Sequence, residues 1–293
     1  MRKLVLPIIA VLPVIALFSL TVFLGASSPS HVSATSTHHA PHLFRKPSQR
    51  VSAALNANNV SYHGGRVVDG TMNVYTIFWE PTNKVQAGYN SLINRYFTDV
   101  NGHGLYNNNK QYHDSIGRYP YAEHLAGTFT SHLPYPESPL LDSDIQAEVI
   151  HAQQVKGWTS RLHNVFFVFL QSGEDLCTDN TDTYCAANYF CAYHSAFDPL
   201  NVYAAMPYDA SFSGCNPGAS PNHNDADQTI NSTSHEQMEI ATDPLLKGWY
   251  DSLGNEIGDK CYTSFGYETW NGHTYYVQRE WDNHQVKCVL SGP

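Results

Sequence analysis

The sequence predicts an α+β domain, a mixed β-sheet with flanking helices in a zincin-like arrangement, stapled by disulfides in its C-terminal half. Three observations predict it. NVYTIFW (73–79), NVFFVFL (164–170) and VYAAMPY (202–208) are short β-branched and aromatic runs of the kind that form buried strands. In chain order the elements read strand, helix, helix, strand, strand, helix and closing hairpin, which suits a mixed sheet rather than a strictly alternating one. All six cysteines, Cys177, Cys185, Cys191, Cys215, Cys261 and Cys288, lie in the second half of the 293 residues.

Each element follows from its residues. Arg2-Lys3 precede an apolar run from Leu4 to Ala26 and then small and polar residues, so 1–34 read as a secretory signal cut after Ala26 or Ala34. The run is also long enough to span a bilayer, which makes an uncleaved N-terminal anchor the alternative. Residues 35–58, rich in Ser, Ala, His and Asn, read as a disordered linker or propeptide, and 59–293 as one domain. Ala87 to Val100 carries a helical stripe at Leu92, Tyr96 and Val100. Residues 101–139, rich in Gly, Asn, Tyr and Pro, read as irregular with at most short strands. A second helix starts at a cap on Asp142 or Ser143 and ends at Gly157. A cysteine-bearing loop then leads to VYAAMPY. A third helix begins near Asp225 or Asp227 and stops before Pro244. From 256 to 290 aromatic and polar residues alternate, as in antiparallel strands.

Composition narrows the function. Hydrophobic residues make up 42% and charged residues only 14%, so the polar surface rests on Asn, Ser, Thr, Tyr and His, which suits an extracellular protein. Without residues 1–34 the chain keeps 14 basic and 26 acidic residues, a net charge of −12. That argues against a nucleic-acid partner, which demands basic patches, and no segment after the leader is apolar enough to cross a membrane. An even cysteine count in a secreted chain predicts disulfides, each worth about 2–4 kcal/mol. Pairing of sequence neighbours gives 177–185, 191–215 and 261–288; a zinc–thiolate site is the weaker reading because no CxxC spacing occurs.

The chemistry concentrates at His235-Glu236-x-x-Glu239. On a helix His235 and Glu239 lie one turn apart and can reach one ion, beside a core stripe of Ile230, Ser234, Met238 and Ala241. Glu236 points about 100° away from His235, where it could act as general base on a water at the metal. Zinc needs a third protein ligand and an open position. Glu256 and Asp259, in EIGDKC, are the candidates; Asp259 is preferred because Cys261 would pin its segment, leaving Glu256 as the alternate ligand or a neighbour of the ligands. Asp243 should support the turn at Pro244. Two carboxylates also suit calcium or manganese. Against these stands the bland reading, a charged face of a solvated helix. His194 and His63 read as ordinary structural histidines, and the sequons at Asn59 and Asn231 support no function.

YHGGRVVDGTMNVYTIFW (62–79), CAYHSAF (191–197), the Cys215 loop, IATDPLLKGWYD (240–251) and REWDNHQVKC (279–288) together resemble the exordium/phosphate-induced protein family over nearly all of residues 60–290. The resemblance implies a secreted protein of the kind known from plant cell walls, associated with growth and without an established enzymatic activity. It also implies that Cys191, Cys215, Cys261 and Cys288 are shared, leaving Cys177 and Cys185 as a local pair. Plant members lack His-Glu-x-x-Glu at this helix, so the present chain resembles a microbial relative with a metallopeptidase-like helix. Two expectations follow: a secreted zinc-dependent peptidase or related hydrolase acting on polypeptide, or a non-catalytic extracellular protein binding a cell-wall component through exposed Tyr and Trp.

Overall fold

A run such as NVFFVFL can bury both faces only at the centre of a sheet covered on both sides, and that is where it lies. The computed structural model describes residues 40–49 and 59–292; the leader and the rest of the 35–58 segment lie outside them. The sheet comprises β1 (His42–Arg45), β2 (Gly70–Trp79), β3 (Pro120–Ser131), β4 (Asn164–Leu170), β5 (Phe190–Asp198) and β6 (Asn201–Met206). Their order is β1-β5-β6-β4-β2-β3. Strands β2, β3, β4 and β6 are mutually parallel, β5 runs antiparallel to β6, and β1 runs antiparallel to β5. The expected mixed sheet with flanking helices is present.

Alternate residues of β4 feed two cores, as the two-residue period of a strand requires. Val165, Phe167 and Phe169 join the core beneath α1 (Tyr89–Asp99) and α3 (Ala226–Thr242). Phe166, Val168 and Leu170 join Ile145, Val149 and Ala152 of α2 (Asp142–Lys156) on the other face. Gly157 closes α2 in the left-handed conformation (φ 69°), as its place after the last helical residue predicts. A C-terminal hairpin, β7 (Phe265–Trp270) and β8 (His273–Gln278), turns on Asn271-Gly272, both left-handed, and a short pair, β9 (Glu280–Asp282) and β10 (Lys287–Val289), follows. The disulfides are Cys177–Cys185, Cys191–Cys215 and Cys261–Cys288. No helix among the described residues is long and apolar enough to cross a membrane.

The structure corrects four expectations. Pro120–Ser131, expected to be largely irregular, is a twelve-residue edge strand. Its side chains alternate irregularly between buried and exposed, and Gly127 packs so closely on Trp158 that a Cβ would come within 2.8 Å of that ring, so no apolar run announces it. The supposed loop after β4 contains β5, whose CAYHSAF residues are mostly buried despite their mixed chemistry. His42–Arg45, inside the segment read as a linker or propeptide, forms β1. Finally, α3 is no solvated helix: every residue but Gln228 is buried. Tyr89 and Tyr96 of α1 donate hydrogen bonds to Thr229 and Gln237, and the backbone of β8 meets Asn231 and Ser234, so α3 is covered from both sides.

Candidate metal centre

Helix α3 presents His235 and Glu239 one turn apart, with Nε2 of the ring 3.1 Å from Oε2 of the carboxylate. Ligand atoms near 2.0–2.2 Å from a tetrahedral ion stand about 3.3–3.6 Å from one another, so this pair already has nearly the right span. A 3₁₀ turn, Asp259–Cys261, brings the third acid. Its position is set from two sides: the Asp259 amide donates to Glu239 Oε1 at 2.9 Å, and the Cys261–Cys288 bond ties the turn to β10. The donor atoms of His235, Glu239 and Asp259 all lie within 4.8 Å of one another. Gly258 makes this approach possible, because a Cβ there would lie 2.5 Å from His235 Nδ1 and 3.0 Å from Glu239 Oε1. The Gln278 amide nitrogen, 2.9 Å from the same Nδ1 and donating to Gly258 O at 2.7 Å, fixes the ring so that Nε2 faces the carboxylates.

Glu256 takes a different place. It faces His42 Nδ1 at 3.4 Å and His194 Nε2 at 3.8 Å, and groups with His42 and Glu239 rather than with His235. Glu236 faces His194, whose Nδ1–H donates to its Oε2 at 2.8 Å. Asp243 caps the end of α3, accepting from the amides of Lys247 and Gly248, in keeping with a turn role. His63, exposed and stacked on Tyr250, belongs to none of this.

Two histidines at the centre were not legible as site residues. His194, on β5, is fully buried with Nδ1 on Glu236 and Nε2 without a hydrogen bond. His42, on β1, donates from Nε2 to Asp259 Oδ2 at 2.7 Å and stands 3.8 Å from Glu239 Oε2. The only available signals were weak: an alternating CAYHSAF and a short HLFR after a proline. The two other clusters with metal-like composition, around Cys177–Cys185 and Cys191–Cys215, are disulfides and offer no thiolate.

Electrostatically the site is a buried excess of carboxylate. Glu236, Glu239, Asp243, Glu256, Asp259 and Glu280 are all buried around three histidines. Burial, reinforced by the charges of Asp243, Glu239, Asp259 and Glu236, pushes the Glu256 carboxyl well above its usual range. Burial, with Glu239 and Asp259, does the same to Glu280. Burial raises Asp243 to about 6 against the amides it accepts from. His194 is driven well below the usual imidazole range by burial and then by His42 and His235. For His42 burial also opposes the charge, but Asp259, Glu239 and Asp243 outweigh it and hold the ring up to about 9. Buried charge of one sign is costly unless compensated, and His235 Nε2, His194 Nε2, Glu239 Oε2 and Glu256 Oε2 make no hydrogen bond among the described residues. Such a donor set fits a divalent cation. No family model, curated protein or solved structure matches the chain.

Proposed function

We propose that the chain is a secreted, metal-dependent peptidase or related hydrolase, zinc being the metal that best suits a His/Glu/Asp set, with calcium or manganese as alternatives. One observation carries the reading: His235, Glu239 and Asp259 converge with buried donor atoms while Glu236, on the same helix, stands beside them on a histidine. A zincin-like plan is supported by the mixed sheet whose antiparallel strand β5 lies against the helix bearing the ligands. Export is supported by three disulfides and no free cysteine among the described residues. The buried, carboxylate-rich centre favours this over a non-catalytic cell-wall binder on an exordium-like scaffold, which would work from its surface.

When bound, the metal supplies a Lewis acid that polarises a carbonyl and brings a water's pKa to about 7. Glu236 takes the proton as the water oxygen adds to the carbonyl carbon, then passes it to the nitrogen as the C–N bond breaks, leaving a carboxylic acid and an amine. His194 is a positioning residue, its Nδ1–H holding the Glu236 carboxylate at 2.8 Å. The test is hydrolysis of an unfolded protein by zinc-loaded protein, with and without chelator, for wild type and Glu236→Gln. The amide cannot accept a proton, so the variant is expected to keep its zinc and lose activity. Cleavage unaffected by chelator, or equal in the variant, overturns the reading.

A further inference from the structure

Strand β1 is the edge strand of the sheet beside the metal centre. Its four residues pair antiparallel with β5, His42 with His194, Leu43 with Tyr193, Phe44 with Ala192 and Arg45 with Phe190. An extended peptide added to a sheet edge gains main-chain hydrogen bonds of no sequence preference, while alternate side chains supply specificity. Here the alternation is sharp. Leu43 packs towards the core shared with α2 and Arg45 lies over the Tyr189 ring, whereas His42 and Phe44 point into the metal centre. His42 reaches three of the carboxylates of the centre, Asp259, Glu256 and Glu239, and Phe44 stacks on His235 with ring centroids 4.1 Å apart. Phe44 is buried beside a cavity lined by Cys191, Cys215, Asn231, Tyr262 and Phe265. Lys46 fastens the end, its backbone amide donating to Tyr189 O at 2.8 Å and its Nζ to Ala187 O at 3.1 Å.

We propose that residues 42–46 are an inhibitory strap: an internal peptide in which His42 closes the open position of the centre and Phe44 fills a pocket that selects an aromatic side chain in an extended polypeptide substrate. This rests on the peptidase reading and adds to it a regulation and a substrate class. The strap can leave without unpairing the rest of the sheet. β1 is an edge strand, so its departure breaks one ladder and leaves β5, β6, β4, β2 and β3 paired as before. What departs is a histidine from the ion's neighbourhood and an aromatic ring from the face of a ligand. What is left is a sheet edge, an aromatic-sized pocket and an accessible metal.

The experiment uses the full chain, zinc-loaded, as wild type, His42→Ala and His42→Ala/Phe44→Ala. Two readouts are taken: cleavage of a reduced, carboxymethylated protein, and binding of a labelled peptide with the sequence of residues 40–47, APHLFRKP. Cleavage is expected to rise at least about tenfold in the variants with zinc content unchanged, to fall again when the peptide is added, and to fall less with its phenylalanine replaced by alanine. The single variant, a smaller change to the core, should move in the same direction as the double. Equal cleavage by wild type and both variants overturns the strap while leaving the peptidase reading intact. Loss of zinc together with activity in His42→Ala also overturns it, since His42 would then be a permanent ligand. If no form cleaves, the peptidase reading fails on its own. The strap is then judged by the peptide, standing if the peptide binds the double variant and not wild type and falling if both bind it alike.

Discussion

At Gly258 a hydrogen atom is all that separates the backbone from His235 and Glu239. A methyl group there would sit 2.5 Å from His235 Nδ1, closer than real side chains approach, with Asp259 next in the chain unable to retreat because its amide is held by Glu239. Gly258→Ala is therefore expected to push His235 or the Asp259 turn away and weaken zinc binding at least as much as a lost neighbour of the ligands does, about 10–100-fold. Competition against a chromophoric chelator measures it, and unchanged affinity would show that His235 is not a ligand. Asp259 and Glu256 separate in the same assay. Asp259→Asn removes a proposed ligand, whereas Glu256→Gln alters a carboxyl that faces His42 and His194, so the first should cost more affinity than the second. The reverse order would exchange their roles. His235 and Glu239 were legible because one helical turn has a fixed spacing, and Asp259 because a cysteine two residues on restrains it. His42 and His194 were not, because strands that meet at a sheet edge come from distant parts of the chain and leave no local pattern.

At the scale of elements, α3 and the 3₁₀ turn hold the centre, and the Cys261–Cys288 bond couples them to the C-terminal strands. Losing a native disulfide from a small exported domain costs about 2–5 kcal/mol. Here the loss should also reach the metal, because the Asp259 turn is freed from β10. The double variant Cys261→Ser/Cys288→Ser is expected to melt lower and to bind zinc more weakly. Cys177→Ser/Cys185→Ser, which opens a loop of separation 8, should lower stability without changing zinc affinity. Calorimetry and chelator competition on both variants check this, and equal effects on zinc would contradict it. The strands of the parallel core were readable from their apolar runs, since a strand buried on both faces has little room for polar residues. β3 and β5 lacked such runs. β3 is an exposed edge, and β5 spends a cysteine and a histidine on a bond and a site, so their polar residues look like loop in the sequence.

For the whole molecule, the balance between fold and site rests on compensation of charge. A hydrophobic sheet core supplies the stability that lets α3 carry His235, Glu236 and Glu239 in the interior, where the handful of surrounding carboxylates repel one another. A bound divalent cation relieves that repulsion and stabilises the fold by mass action, by about 2.7 kcal/mol when the free metal is at 100 times its dissociation constant. The most direct test is therefore elemental analysis of the purified, gently handled protein, followed by thermal melting with and without a chelator. The account predicts one zinc per chain, or stoichiometric uptake of zinc after reconstitution, a lower melting temperature once it is removed, and neither effect in His235→Ala. Protein that holds no metal, takes up none on reconstitution and melts at the same temperature with and without chelator would contradict it.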